Sequence, residues 1–570
     1  MTAATVRVGA PRRGARLSWP SWVSRLALPL LFTAALVFLV VMPLWRIQAV
    51  ALENDAQGYR TAFGASTFGE TLRRTILLAL GSLVIGMVLG TGLAWAATRV
   101  SHRWRILATI PIVPIVVPAV ANITGWVFML SPGPGYLNAV LRKLPWWSDL
   151  RSGPVDIYTL PWIVILTGLG LTAFVYLFVS AGLRNVNGEL IEAAVASGSS
   201  STAAFFRITL PLLRPVLVYG GGVALLLGLG QFTAPLLLGR NAGINVLTTD
   251  IYRSVSQSPI DYSAAAAIGS PLIVIGLCVV VVQRISLGDQ RRFITHGGKS
   301  FRTQARPSKL AAAALITYGA LATLLPVGAL VIVALSPFWS ETIQWSEMTL
   351  DNFRRIFEEG QVVDAIRTSL VVSLVAVAIA LPVGFIASSL LLRSKIPRWH
   401  RTILDLIVAL PLGIPAVVFG AAFLLHYTRE PLVLYGSRWV VILVYLTLML
   451  PFTTRMQMSG MVALGDAYIE ASRVSGASAM RTNVKILLPL MRGTLGGAAA
   501  LMFVLLTHEF TASLLVRSST MQTMGTSLYD FWSNGFYPEV AAIALVMTAV
   551  TLVGVVAAVM IGGSDALTKL

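Results

Sequence analysis

Long apolar stretches alternate with short polar segments over most of the chain. Three of them, 26–45, 76–97 and 310–335, reach the roughly 20 residues that cross a ~30 Å hydrocarbon layer. Such a stretch must be helical in lipid, because its backbone polar groups have no other hydrogen-bond partners. The pattern predicts an all-α integral membrane protein with about twelve transmembrane helices. The other nine predicted spans are 106–130, 160–183, 214–238, 262–283, 367–392, 403–427, 439–459, 494–516 and 540–561.

Composition and charge agree with this class and orient the helices. Of the 570 residues, 56% are hydrophobic and 12% charged, a balance that excludes an ordinary soluble domain. With a cytoplasmic N-terminus and twelve crossings, most of the 43 Lys and Arg residues fall in cytoplasmic segments, as the positive-inside rule requires. We therefore expect a multi-pass protein of the cytoplasmic (inner) membrane with both termini in the cytoplasm. Its basic residues are scattered over separate loops, so no nucleic-acid partner is expected.

The chain contains an internal repeat. Adding 278 to the residue number carries Glu192 to Glu470 and Gly198 to Gly476, and it carries QFTA at 231–234 to EFTA at 509–512. We interpret this as two parallel six-helix units related by an axis along the membrane normal. The predicted organisation is a basic cytoplasmic tail (1–25), a first repeat (26–283), a basic cytoplasmic linker (284–309) and a second repeat (310–570).

Between the fourth and fifth predicted helices of each repeat lies a loop of mostly small residues. Asn187 or Asp466 can cap a short helix there, and Gly198 or Gly476 can end it. Small side chains let another protein approach the backbone closely, so each loop is a candidate docking knob. The alternative is a turn back into the membrane whose small residues pack under the helices. The loop occurs at equivalent places in both repeats, which favours the docking interpretation.

These loops share one sequence signature. The spacing E-A-A, three residues, G, nine residues, I-x-L-P occurs at 192–211, and with Ser472 in place of the second Ala at 470–489. It resembles the signature of membrane subunits of binding-protein-dependent ABC importers, over nearly the whole chain outside the tail. The resemblance implies the type I ABC importer permease fold, in which each loop is a coupling helix seated in a cleft of a cytoplasmic ATPase. The implied coupling residues are Glu192, Ala193, Ala194, Gly198, Glu470, Ala471, Ser472 and Gly476.

The chain has no evident nucleotide-binding site. A phosphate-binding loop needs G-x-x-x-x-G-K-[ST] after a strand, and the nearest stretch, FITHGGKS at 293–300, has Phe in the first glycine position. We expect no enzymatic activity and no cofactor in this chain. ATP and Mg would be bound by two copies of a partner ABC ATPase. An extracytoplasmic binding protein would dock on the longer outer loops, at 45–74, 131–160 and 337–364, and lipid would surround the helices.

Polar residues at depth mark a candidate substrate pathway. Gln231 and Glu509 are equivalent, and each precedes a Phe-Thr-Ala sequence on the fifth helix of its repeat. An intramembrane polar residue is a pathway hypothesis by default. We predict that Gln231, Phe232, Glu509 and Phe510 line or gate a passage that works by alternating access. The alternatives are a buried polar contact between the halves or a pair near the outer interface. A carboxylate at a gate favours a cation or a complexed metal over a bare anion.

The substrate is indicated only by resemblance. Two permease units in one chain, with QFTAPLLLG, VLTTDIYRSV and DYSAAAAIG in the first, are similar to fused permeases of the ferric-iron importer group. Relatives of that group import thiamine, 2-aminoethylphosphonate or polyamines. No cluster with metal-ligand spacing appears, so no metal site is expected in the chain. The alternative of another class is an ion-coupled secondary transporter. Against it, Glu509 and neighbouring His508 are nearly the only ionisable residues within the predicted spans.

Overall fold

Helices make up about 80% of the structure, which is a computed structural model. It describes residues 21–184, 186–240, 242–287, 308–394, 396–518 and 520–562. Within these ranges there is no β-strand, and Ser518 and Met521 form an isolated β-bridge. The predicted all-α class is confirmed. Most of the predicted tail and linker, including 293–300, lies outside the described residues.

The helices of the two repeats follow in similar order. In the first repeat they are α1 (Ser21–Leu36), α2 (Met42–Gly64), α3 (Phe68–Ala97), α4 (Ala119–Leu130), α5 (Tyr136–Leu141), α6 (Leu160–Arg184), α7 (Gly188–Ala196), α8 (Ser201–Ala204), α9 (Leu210–Leu212), α10 (Arg214–Leu229), α11 (Leu247–Ser256) and α12 (Tyr262–Leu287). In the second they are α13 (Lys309–Gly319), α14 (Leu325–Leu335), α15 (Asp351–Glu358), α16 (Gly360–Arg393), α17 (Arg398–Gly413), α18 (Ala416–Tyr427), α19 (Arg438–Leu464), α20 (Ala467–Val474), α21 (Ala479–Thr482), α22 (Leu488–Leu490), α23 (Arg492–Thr507), α24 (Thr511–Val516), α25 (Met524–Ser533) and α26 (Tyr537–Gly562).

Eight segments in the described residues are long and apolar enough to cross a membrane unbroken, and four bent helix pairs raise the number to as many as twelve. The predicted span 106–130 is one such pair, bent by 96° between the 3₁₀ segment His102–Ile115 and α4. The predicted span 403–427 is bent by 109° between α17 and α18. Pro118 and Pro415 stand just before the second helix of each pair, where proline disfavours helical geometry in the preceding residue.

The fifth span of each repeat is shorter than predicted. In place of a continuous helix over 214–238, α10 ends at Leu229 and the chain resumes as a π-helical turn over Pro235–Gly239. In place of 494–516, α23 ends at Thr507 and α24 begins at Thr511. The apolar sequence continues through both breaks, which is why its pattern did not reveal them. Gln231 and Glu509 lie in these breaks.

The two repeats exchange their first helices. α1 and the π-helical segment Val37–Val41 pack on α17 of the second repeat, while α13 packs on α3 and on the 3₁₀ segment of the first. Thr33 Oγ1 lies 2.8 Å from His400 Nε2. In the other direction, Tyr318 donates a hydrogen bond to Leu169 O at 2.9 Å. The apolar core is consequently continuous across the junction between the repeats.

Equivalent hydrogen bonds confirm that the repeats share local geometry. Thr75 on α3 accepts the N–H of Leu247, the first residue of α11, at 2.9 Å. Ser369 on α16 accepts the N–H of Met524, the first residue of α25, at 2.8 Å. Each bond satisfies a backbone donor that has no partner inside its own helix. One contact of the first repeat is thereby reproduced in the second.

Candidate functional site

The first loop of small residues folds as two short helices joined by a tight turn. Asn187 Oδ1 accepts the N–H of Glu189 at 2.9 Å and so caps α7. Gly198 then adopts a φ of +88°, in the left-handed region that favours glycine. Ser200 Oγ accepts the N–H of Ala203 at 3.1 Å and caps α8. We call residues 188–204 knob 1.

The equivalent loop of the second repeat, residues 467–482, has the same plan and is called knob 2. Gly476 has a φ of +76° between α20 and α21, and Ser478 Oγ accepts the N–H of Arg481 at 3.3 Å. One predicted detail is wrong, because the side chain of Asp466 does not cap α20. Its carboxylate lies 3.8 Å from Arg393 instead.

Most of the predicted coupling residues lie on the surface of the knobs. Glu192, Ala193, Gly198, Glu470, Ala471 and Gly476 are exposed, and Ala194 is partly covered. Ser472 differs, because it is buried and its Oγ lies 2.8 Å from Thr482 Oγ1 inside knob 2. The equivalent positions of knob 1 are Ala194 and Ala204, which have no hydroxyl. The serine is thus part of the internal packing of its knob, and knob 1 lacks both hydroxyls of the pair.

Large apolar side chains also project from both knobs. Leu190 and Val195 are exposed on knob 1, and Tyr468, Val474 and Met480 are exposed on knob 2. Val474 is 90% exposed, which is unusual because removing an apolar side chain from water is favourable. Apolar side chains grouped with acidic ones on a small projecting element are typical of a surface that another protein covers.

The knobs are anchored to the membrane helices by different contacts. In the first repeat Trp95 stacks on Phe205, just after knob 1, with ring centroids 4.7 Å apart. Arg99 lies over the same indole at 3.9 Å. In the second repeat Arg393 donates hydrogen bonds to Met461 O at 2.8 Å and to Gly465 O at 3.4 Å, in the turn that leads into knob 2. The two anchors hold similar backbones by aromatic stacking and by polar contacts, respectively.

Four aromatic side chains meet between the repeats and form what we call the aromatic cluster. The rings of Phe232 and Phe510 lie 5.8 Å apart, although 278 residues separate them. Tyr252 packs on Phe232 at 5.7 Å, and Tyr529 packs on Phe510 at 5.8 Å. The two tyrosine rings are 6.3 Å apart. Both phenylalanines are buried, so the cluster closes the space between the halves.

The polar neighbours of the phenylalanines bond within their own repeats. The Glu509 carboxylate accepts the N–H of Ala512 at 2.8 Å and of Ser513 at 3.0 Å, and it accepts the Ser513 hydroxyl at 2.8 Å. It therefore caps α24. Gln231 Oε1 accepts the N–H of Phe232 at 3.1 Å, and its Nε2 donates to Thr167 at 3.3 Å. Both side chains fix the backbone that presents the adjacent phenylalanine.

Two cavities flank the aromatic cluster. The proximal cavity, of about 270 Å³, is lined mainly by residues between 114 and 123 and between 166 and 174, and Leu227 and Leu505 line it from the helices that lead to the phenylalanines. Gln231 and His508 add polar groups to it. The distal cavity, of about 240 Å³, lies beyond the cluster, and Leu236, Tyr252 and Tyr529 are among the residues that line it. Gln231 and His508, which lie close before the phenylalanines in the sequence, thus line one cavity, and the two tyrosines of the cluster line the other.

The sequence pattern missed several residues of this site. Tyr252 and Tyr529 are related by an offset of 277, one less than the main repeat. The sequence did contain a signal for them. An alignment of VLTTDIYRSV with QTMGTSLYDF, shifted by that one residue, pairs the two tyrosines. No short motif marks Arg240 or Arg517, which reach the distal cavity from the turns after the helix breaks. Within the described residues, no group of three or more His, Cys, Asp and Glu side chains is placed to hold a metal.

Comparison with known proteins identifies the family. The inner membrane component of binding-protein-dependent transport systems matches residues 75–287 and 380–563. The chain belongs to this family. The family matches two segments of the chain, which confirms a type I ABC importer permease with two copies of the permease unit.

Ferric transport permeases are among the relatives of this permease. It is 26% identical over 431 residues to the ferric transport system permease protein FbpB of Actinobacillus pleuropneumoniae, and this covers 74% of the chain and 61% of that protein. It is also 26% identical to the putative ferric transport system permease protein FbpB 1 of Haemophilus influenzae, covering 74% of the chain and 66% of that protein. The chain thus spans less than two thirds of the length of either relative.

A similar solved structure is that of a bacterial ABC transporter involved in the import of the acidic polysaccharide alginate. It is 17% identical, with a TM-score of 0.37, and the match covers 43% of this permease and 91% of that chain.

Proposed function

We propose that this permease moves its substrate inward across the cytoplasmic membrane by alternating access, driven by two copies of a separate ABC ATPase. The pair of knobs is the observation that carries the proposal. Two equivalent projections, each with an exposed glutamate and exposed apolar side chains, fit two copies of one partner. ATP and Mg would be bound by these partners. In this orientation the knobs and both chain termini lie in the cytoplasm.

The order of the helices along the chain indicates how motion of the knobs would reach the membrane helices. Knob 1 lies between α6 and α10, and knob 2 lies between α19 and α23. Helices α10 and α23 lead directly to Phe232 and Phe510. Because each knob has a serine-capped helix and an anchor to the membrane helices, a displacement of the knob moves these helices with it. Separating the knobs would therefore separate the two phenylalanine rings.

The aromatic cluster is the gate of this mechanism, in its closed form. Phe232 and Phe510 supply the barrier, and packed aromatic rings exclude hydrated cargo because burying its polar groups without partners is unfavourable. Gln231 and Glu509 hold the barrier in place through the backbone hydrogen bonds described above. Opening joins the proximal and distal cavities. The pathway thus depends on the rings for closure and on the polar pair for their position.

An extracytoplasmic binding protein would deliver the cargo at the end opposite the knobs. The predicted docking loops at 131–160 and 337–364 are joined there by an ion pair between Arg142 and Glu341. Ferric iron is the proposed cargo, and the relationship to ferric transport permeases supports it. The same machinery would serve thiamine, 2-aminoethylphosphonate or a polyamine if the binding protein carried one of these.

Reversing the charge of both knobs tests the proposal. In Glu192→Lys/Glu470→Lys we expect loss of ATPase co-purification and at least a ten-fold fall in ATP-driven uptake by proteoliposomes. The control is Glu430→Lys, which makes the same kind of charge change at an exposed residue outside the knobs and the docking loops. Normal association and uptake in the knob variant would refute docking. Uptake without ATP that follows a proton gradient and is lost in Glu509→Gln would indicate a secondary transporter.

A further inference from the structure

The distal cavity is rich in arginine and is built by both repeats. Arg240 and Arg253 line it from the first repeat, and Arg517 and Asp530 line it from the second. Tyr252 and Tyr529, the tyrosines of the aromatic cluster, also line it. The cavity therefore adjoins the closed gate, on the side away from the knobs.

Its charges are only partly neutralised. Arg517 Nη1 lies 2.7 Å from Asp530 Oδ1, while Gln522 donates to the other oxygen of that carboxylate at 3.0 Å. Arg253 lies 3.3 Å from Asp250. For Arg240, no carboxylate of the described residues lies within ion-pair distance, and its Nη1 donates to the Tyr529 hydroxyl at 3.2 Å. One positive charge at the gate is thus left without a counterion.

A neighbouring cavity has the opposite character. It has a volume of about 690 Å³ and is lined by Glu358, Glu359, Asp530 and Glu539 together with Arg355. All of its lining residues come from the second repeat, and none belongs to the aromatic cluster. Cargo that passes between the repeats therefore meets the arginines of the distal cavity rather than Glu358, Glu359 and Glu539. A bare cation would be repelled there.

We propose that the distal cavity is the first binding site for cargo inside the permease and that it recognises an oxyanion. The guanidinium of Arg240 offers two parallel N–H donors, which suit two oxygens of a phosphate, phosphonate or carboxylate group. The oxyanion is borne either by a free organic or inorganic anion or by a ligand that accompanies ferric iron. This inference rests on the proposed function and names the chemical class of its substrate. It replaces the expectation from Glu509, whose carboxylate is occupied in capping α24.

Binding of the anion also bears on the gate. The Arg240–Tyr529 hydrogen bond joins the two repeats across the cavity. Nη1 carries two N–H groups, so one can donate to the Tyr529 hydroxyl while the other, together with Nη2, donates to an anion. The anion and the gate residue Tyr529 therefore share one guanidinium, which the tyrosine holds in position.

The test is equilibrium binding of radiolabelled inorganic phosphate to the purified full-length permease in lipid nanodiscs at fixed ionic strength. We expect saturable binding that is at least ten-fold weaker in Arg240→Gln and intermediate in Arg240→Lys, which keeps the charge but not the planar donors. Arg438→Gln is the matched control, because Arg438 is exposed and does not line the cavity. Its affinity should stay within two-fold.

Two further arms separate the alternatives. Tyr529→Phe removes the hydrogen bond but leaves the guanidinium, so we expect the phosphate affinity to fall at most three-fold. An affinity loss equal to that of Arg240→Gln would mean that Arg240 acts through its bond to Tyr529 and not on the anion, and it would overturn the proposal. Tighter phosphate binding with equimolar ferric ion assigns the oxyanion to a ferric complex, and equal or weaker binding assigns it to a free anion. The proposal also fails if the unmodified permease does not bind phosphate or if Arg438→Gln loses binding equally. ATPase co-purification, measured on the same samples, reports separately on the proposed function.

Discussion

Knob 1 and knob 2 have the same backbone plan and different supports. Each consists of a short helix, a glycine of positive φ and a second helix with a serine cap. Knob 1 is held by Trp95, Phe205 and Arg99, whereas knob 2 is held by Arg393 through backbone carbonyls. The interior of knob 2 contains a hydroxyl pair where knob 1 has two alanines.

The comparison distinguishes the exposed shape of each knob from the contacts that hold it in place. The exposed shape is the same in both knobs, as the proposed docking of two copies of one partner would require. The contacts underneath only need to be stiff, and stacking or hydrogen bonding can supply that stiffness. Changes that alter the shape should therefore harm both knobs alike, while changes underneath should act on one knob only.

The largest effect is expected from the two turn glycines. Gly198→Val and Gly476→Val place a β-branched residue at a positive φ, at a cost of about 1–3 kcal/mol in each knob. We expect the affinity for the partner ATPase to fall about ten-fold or more in either variant, as measured by surface plasmon resonance. Gly92→Val is the control, since its Cβ position is open and its φ is ordinary. Unchanged affinity in either turn variant would contradict the idea that both shapes matter.

Removing the anchors should have a moderate and unequal effect. Arg393→Ala loses two hydrogen bonds to carbonyls and the contact with Asp466, together about 1–2 kcal/mol, so amide exchange in 465–478 should accelerate about ten-fold. Arg99→Ala loses a cation–π contact of about 0.5–1 kcal/mol, so exchange in 188–200 should accelerate about three-fold. Hydrogen-exchange mass spectrometry measures both. If each variant disturbed both knobs equally, the supports would not be separate.

The smallest effect concerns the hydroxyl pair. Thr482→Ala leaves the buried Ser472 hydroxyl without that partner and should destabilise knob 2 by about 1 kcal/mol. The double variant Ser472→Ala/Thr482→Ala reproduces the alanines of knob 1, so the two changes should couple by about 0.5–1 kcal/mol. Exchange rates of the amides in 467–482, measured in both single variants and the double variant, test this coupling. Strictly additive effects would exclude it.

The membrane helices could be predicted because long apolar segments have few alternatives in lipid. The same reasoning could not find the helix breaks beside Phe232 and Phe510, since apolar residues such as Leu236 and Leu514 continue beyond them. There the end of the helix depends on local hydrogen bonds, such as those of the Glu509 carboxylate. A hydropathy pattern contains no information about such bonds.

The knobs could be located because their spacing occurs twice in the chain. Their roles in coupling remain predictions, and so do the boundaries of the repeats. The anchors and the distal cavity could not be predicted, because their members are distant in sequence. Trp95 reaches Phe205, and Arg240 reaches Tyr529, only after the helices have packed. Contacts of this kind depend on tertiary structure, which no short motif records.

The exchange of the first helices has a consequence for biosynthesis. Thr33 and His400 are in contact but are 367 residues apart, and at a translation rate of 5–20 residues per second the ribosome needs roughly 20–70 s to connect them. During that time α1 is in the bilayer without its permanent neighbour. The first repeat therefore cannot mature as an independent unit, and both halves complete their folding together after α17 has left the ribosome.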